Sequence, residues 1–123
     1  MALFRDFVPP LPPGQAVAIE GQTGNVTAIG STLANSAPIV TTTAFVTGAD
    51  GTKGVTLPIM AINESCIIYN NSASSLIVWP GSASIAISAA GSGLGTAGSS
   101  ATLTTYKQAS YRCVSATQVI ASA

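Results

Sequence analysis

The clearest chemical pattern is Gly93-Leu-Gly-Thr-Ala-Gly98, which matches G-x-G-x-x-G. In a dinucleotide-binding unit such glycines let a pyrophosphate approach a helix N-terminus directly after a strand, and an acidic residue about 20 positions on takes the ribose. Here Ser, Ala and Thr follow in a strand-like order, and no Asp or Glu occurs after Glu64. The segment is therefore read as a projecting Gly/Ser/Ala loop, and no cofactor is expected. Asp50 in Gly48-Ala-Asp-Gly-Thr-Lys-Gly54 brings one carboxylate, too few for calcium, and the Walker spacing is absent. A tight turn leading into a strand at 55–57 explains the same residues. Ser and Thr are plentiful, but the chain has no His, the side chain most used for acid/base catalysis and for metals. A Ser-Lys pair would draw on Lys53 or Lys107, and neither sits in a nucleophile motif. The four carboxylates are too scattered for a hydrolytic pair. No catalytic residue, metal site or enzymatic activity is expected.

Cys66, Trp79, Tyr111 and Cys113 stand in the order of the hallmark residues of an immunoglobulin domain. Their spacing does not fit. Too little chain follows Cys113 for a final strand with its loop, too much precedes Cys66, and Trp79 lies too close to Cys113. The two cysteines are read as buried, reduced thiols acting as small apolar side chains, although two cysteines alone fix neither compartment nor disulfide. Asn25-Val-Thr27, Asn63-Glu-Ser65 and Asn70-Asn-Ser72 are formal glycosylation sequons of the kind that a chain rich in Asn, Ser and Thr produces by chance.

Charge narrows the function further. Only 7% of the 123 residues are charged, four Lys+Arg against four Asp+Glu, while 47% are hydrophobic; a typical soluble domain is about 25% charged. Arg5, Lys53, Lys107 and Arg112 are scattered and balanced, whereas a nucleic-acid backbone requires clustered cations. The uncharged stretch between Glu64 and Lys107 is broken by Asn70, Asn71, Pro80 and repeated Ser and Gly, so it does not read as a spanning helix of about 20 apolar residues. Residues 1–14 lack a signal peptide's basic start and apolar run, and are read as part of the working protein. So little charge suits a subunit partly covered by its own copies.

The elements that must position any site are β-strands. Residues 1–14 hold four prolines and no period, which predicts an extended or polyproline II arm. Phe4, Phe7 and Leu11 on that arm either dock on a neighbour or strap over their own domain. From residue 15 to 123 a single β domain is expected, with strand candidates at 16–19, 26–29, 39–46, 55–57, 66–69, 76–79, 85–87, 101–106, 111–114 and 118–121. Many short strands at this spacing predict an all-β fold, a small antiparallel β-sandwich or jelly roll. Two hairpins are expected. The first joins 66–69 to 76–79, with Cys66, Ile68, Leu76, Val78 and Trp79 in the core and both faces covered; Pro80 ends it. The second joins 101–106 to 111–114.

Gly48-Ala-Asp-Gly-Thr-Lys-Gly-Val-Thr-Leu-Pro58, Cys66-Ile-Ile-Tyr-Asn-Asn71 and Leu76-Ile-Val-Trp-Pro80 together resemble a small β module of tailed-bacteriophage virion proteins. In that group a G-V-x-L-P strand precedes a strand ending in Asn, a short turn, and a strand ending in aromatic-Pro. The resemblance spans roughly 48–121 and departs at Gln118-Val-Ile120, where an aromatic is common. It implies a structural virion protein of the capsid surface, assembled in the host cytoplasm: a homotrimeric decoration or cement protein that reinforces a shell by contacting the major capsid protein. The alternative is a receptor- or glycan-binding module of a tail or fibre, presenting Tyr69, Trp79, Tyr106 or Tyr111 in an open groove.

Overall fold

The computed structural model of the chain describes residues 23–89 and 93–122. The expected strand at 16–19 and the arm at 1–14, with Phe4, Phe7 and Leu11, lie outside the described residues. Ten strands are described: β1 Thr23–Thr27, β2 Ala37–Pro38, β3 Thr43–Thr47, β4 Gly54–Thr56, β5 Ser65–Asn70, β6 Leu76–Trp79, β7 Ala86–Ser88, β8 Ala101–Leu103, β9 Gln108–Ser115 and β10 Gln118–Ala121. They form a six-stranded sheet in the order β1-β3-β5-β9-β10-β7 and a four-stranded sheet in the order β2-β4-β6-β8. The fold is all-β, as expected.

The direction of the strands is not. The sheets are mixed rather than antiparallel. From β1 to β6 the chain changes sheet at every step, so each strand pairs in parallel with the one two positions later: β1 with β3, β3 with β5, β2 with β4, and β4 with β6. A parallel pair needs a crossover connection, and here the crossover is a strand of the opposite sheet. Antiparallel pairing enters with β8 on β6 and β9 on β5. Among the described strands, the hairpin between consecutive strands is β9–β10, with a register irregularity between Gln118 and Val119; β7 pairs in parallel with β10 at the edge of the larger sheet.

Both expected hairpins are therefore corrected. β5 and β6 belong to different sheets, as do β8 and β9. Two apolar runs around a polar turn fit a crossover as well as a hairpin, and the side chain that decides is Asn70. It is fully buried, and its amide Nδ2 donates to the carbonyls of Ser74 (2.8 Å), Leu103 (3.1 Å) and Thr104 (3.2 Å). Its backbone N–H donates to the carbonyl of Lys107 at 2.9 Å. One residue thus ties the β5–β6 crossover to the β8–β9 crossover. The candidate strand at 39–46 also divides, because Ile39 turns to bond the carbonyl of Thr56 before β3 begins. The candidate at 101–106 stops at Leu103, since Tyr106 takes a left-handed turn conformation with φ 54°.

Burial alternates along the strands, as a pleat with one covered face requires. Cys66, Ile68, Leu76 and Val78 are fully buried, while Ile67, Tyr69, Ile77 and Trp79 are half-buried on the outward faces. The expectation that both faces of 66–69 and 76–79 are covered thus holds only in part. One core draws on both sheets, with Ala44, Val46, Cys66, Ile68 and Tyr111 from the larger and Val55, Leu76, Val78 and Leu103 from the smaller. Gly54 is constrained by this packing: a Cβ there would stand 2.6 Å from the carbonyl oxygen of Ile77 and 3.1 Å from the Trp79 indole.

Cys66 and Cys113 are free and buried. Burial pushes the Cys66 thiol up to about 11. Burial, and then the neighbouring Cys66, raise Tyr111, its cross-strand partner.

Asn70→Ala removes the Nδ2 bonds to Ser74, Leu103 and Thr104; the one to Leu103 is buried and its loss costs about 1–3 kcal/mol, while the two part-buried ones add less, since the Thr104 carbonyl also accepts the Lys107 N–H. Urea denaturation of this variant is expected to show a loss of about 2–4 kcal/mol; a loss under about 0.5 kcal/mol would remove Asn70 from its tying role. A second expectation concerns alkali. Between the ordinary thiol value of 9.0 and about 11, the unfolded chain releases a proton that folded Cys66 retains. Stability is then full below pH 9 and falls as pH rises towards 11, by roughly 2–3 kcal/mol from this group, with Tyr111 adding to the fall. Denaturation midpoints measured at half-unit steps from pH 8 to 11 check this, and a flat profile contradicts it.

Candidate functional site

The residues singled out from the sequence do not converge on one site. Gly93 to Gly98 runs as a loop beside β7: the Gly95 N–H donates to Ser88 Oγ (2.9 Å) and the Gly98 N–H to the carbonyl of Ile85 (2.9 Å). The segment leads into a strand, β8, rather than a helix. Asp50 organises its own turn, accepting from the backbone N–H groups of Thr52 (2.9 Å) and Lys53 (3.1 Å) and from Thr52 Oγ1 (2.7 Å). These bonds, led by the Thr52 hydroxyl, hold its carboxyl below the usual carboxylate value, with Lys53 Nζ at 3.8 Å adding to the effect. Asn70 of the third sequon is enclosed in the core. No group of three or more His, Cys, Asp or Glu close enough to hold a metal occurs among the described residues. No helix among them is long and apolar enough to cross a membrane.

The aromatic residues separate. Tyr111 is in the core, Tyr69 and Trp79 are half-buried on opposite sheets, and Tyr106 is exposed at the β8–β9 crossover. Cys66, Ile68, Leu76 and Val78 act as packing residues, with Trp79 covering Gly54 from outside.

Two surfaces arise instead from residues that carried no motif. The first lies where the chain returns from the smaller sheet to the larger. Val40, from the β2–β3 connection, and Pro58, Ile59 and Met60, from the β4–β5 connection, supply the apolar part of a cleft of about 150 Å³ that Thr41, Thr42, Glu64 and Ser65 also line. Val40 is 83% exposed and Ile59 71%, and Ile62 on the same connection is 60% exposed. Its signal in the sequence is the run Pro58-Ile-Met-Ala-Ile62, which is apolar yet lacks the alternation of a half-buried strand.

The second surface is the outward face of the larger sheet. Asn25, Phe45, Tyr69 and Gln108 stand in register across β1, β3, β5 and β9. The Phe45 and Tyr69 rings meet edge to face, with centroids 5.8 Å apart. Further along the same face Ser65, Arg112 and Ile120 are cross-strand neighbours and, with Ser110 and Ser122, surround a depression of about 390 Å³. The signal that could have found Phe45 is the alternation Thr43-Ala-Phe-Val-Thr47, which puts it on one face with two threonines. The meeting of Ser65 with Arg112 was not, because it depends on which strands pair.

Comparison with models of known protein families, with curated proteins and with solved structures found no match to this chain.

Proposed function

We propose that this chain is a structural virion protein that decorates and stabilises the outside of a phage capsid as a homotrimer. The observation that carries the reading is the cleft at the crossover end, where Val40 and Ile59 stand in water in a chain with only eight charged residues. Contiguous exposed apolar side chains mark contact surfaces. Burying each of these residues stabilises a contact by about 1.5–3 kcal/mol before association costs. Repetition of such modest contacts over a symmetric shell gives firm attachment through avidity. Within this reading the two sheets, which share one core, are the layers of a small β-sandwich of jelly-roll type. The Pro-rich arm at 1–14 adds Phe4, Phe7 and Leu11 to the contact with the major capsid protein or a neighbouring copy.

A second reading, a glycan- or receptor-binding module of a tail or fibre, is favoured by the Phe45–Tyr69 pair, which turns two aromatic rings outward on an open sheet face.

Native mass spectrometry and co-sedimentation with empty capsids of the cognate virion test the first reading. The unaltered chain is expected to run as a trimer and to pellet with capsids. Val40→Ser with Ile59→Ser, two substitutions at exposed positions, is expected to leave the thermal midpoint nearly unchanged and to weaken capsid binding at least tenfold. A monomer that ignores capsids overturns the reading.

A further inference from the structure

The geometry points to the outward face of the larger sheet as a binding strip for an acidic oligosaccharide, with Arg112 taking the carboxylate and the Phe45–Tyr69 pair taking a sugar ring. This inference rests on the second reading above and names its ligand class. Arg112 is exposed and makes no ion pair among the described residues. Its surroundings in the depression are three serines and Ile120, with no carboxylate among them. Glu64, the adjoining acid, turns back on its own loop, where Oε1 accepts the Ala61 N–H at 2.6 Å. The guanidinium is therefore left with its planar fork of donors free, the shape that binds a carboxylate through two parallel bonds.

The serines add polar groups suited to sugar hydroxyls. Ser65 and Ser110 hydroxyls make no hydrogen bond among the described residues. Ser122 Oγ accepts the Ser110 N–H at 2.9 Å and keeps its own proton for donation, while the Ser122 N–H bonds the Ser110 carbonyl at 2.9 Å. This reciprocal pair holds Ser122 against Ser110 at the depression. Ile120 supplies an apolar contact beside the charge.

The strip has a definite length. Ser65, Ile67 and Tyr69 share one face of β5 and stand opposite Arg112, Ser110 and Gln108 of β9. At the rise of an extended strand, Tyr69 lies about 13 Å from Ser65, a span suited to an oligosaccharide rather than a single sugar. Aromatic rings offer an apolar face to the C–H side of a pyranose while leaving its hydroxyls in water, and Tyr69 adds a phenolic hydroxyl. An acidic peptide would instead seek main-chain pairing at a sheet edge, whereas β5 and β9 are interior strands paired on both sides.

An array of immobilised sialylated and uronic-acid glycans, printed beside neutral glycans of matching length, tests this with the full chain. Binding is expected on the carboxylate-bearing glycans only. Arg112→Ala is expected to weaken it at least tenfold and Arg112→Lys less, since the charge remains and the fork is lost. Tyr69→Ala is expected to weaken acidic ligands of three sugars more than those of one. Binding to neutral glycans that survives Arg112→Ala overturns the acidic-ligand inference and keeps the glycan-module reading. An array with no binding by the unaltered chain overturns both. Circular dichroism and thermal melts separate loss of binding from loss of fold: the Arg112 variants are expected to match the unaltered chain because Arg112 lies at the surface, and Tyr69→Ala, which removes a half-buried ring, is expected to keep the same spectrum with a lower midpoint; Arg112→Lys binding as tightly as the unaltered chain overturns the fork.

Discussion

Inward side chains from β3, β5 and β9 on one sheet and from β4, β6 and β8 on the other close over a single apolar core, and this shared burial governs how the chain runs. Each strand from β1 to β6 is too short to bury enough apolar surface by itself. Crossing to the opposite sheet after every strand lets each new inward pair, such as Ile68 with Leu76 and Val78, enlarge the same core. From β1 to β6 this crossing goes with parallel pairing, because consecutive strands of one sheet are there separated by a strand of the other. The crossovers must then be held in place, and Asn70 does so at the point where two of them meet.

Outward residues inherit their neighbours from the same arrangement. Phe45 meets Tyr69 only because β3 lies parallel to β5, and Ser65 meets Arg112 only because β9 returns antiparallel along β5. At the crossover end, the connections from β2 to β3 and from β4 to β5 lie side by side for the same reason, which brings Val40 to Ile59. The low charge of the chain takes on a more specific meaning in this setting. With eight charged residues, the surface is differentiated by where apolar side chains are left outside the core and by where Arg112 stands without an ion-pair partner among the described residues.

Much of the local structure was legible in the sequence. The strands at 76–79 and 118–121 have the same bounds as β6 and β10, and 66–69 falls within β5, because runs such as Cys-Ile-Ile-Tyr and Leu-Ile-Val-Trp suit a half-buried pleat. Pro80 ends β6 where a missing donor would interrupt the ladder. Partner choice was not legible. A five-residue turn after Asn70 serves a hairpin or a crossover equally, and the amide bonds to Leu103 and Thr104 that decide between them come from far along the chain. The candidate surfaces were hidden for the same reason: Arg112, Ser65 and Val40 belong to no motif, and strand pairing alone gives them their neighbours. Cys66 and Cys113, read as buried thiols because their spacing fails the immunoglobulin pattern, are free and buried.

Both proposed surfaces therefore stand or fall with the alternation of strands between two sheets. Backbone nuclear Overhauser contacts test that alternation most directly. Parallel-ladder contacts are expected to link Thr43–Val46 to Ile67–Asn70 and Gly54–Thr56 to Ile77–Trp79. Antiparallel contacts are expected between Ser65–Tyr69 and Gln108–Arg112. Antiparallel contacts between Ile67 and Ile77, the signature of a hairpin across Asn70 to Ser75, would contradict it.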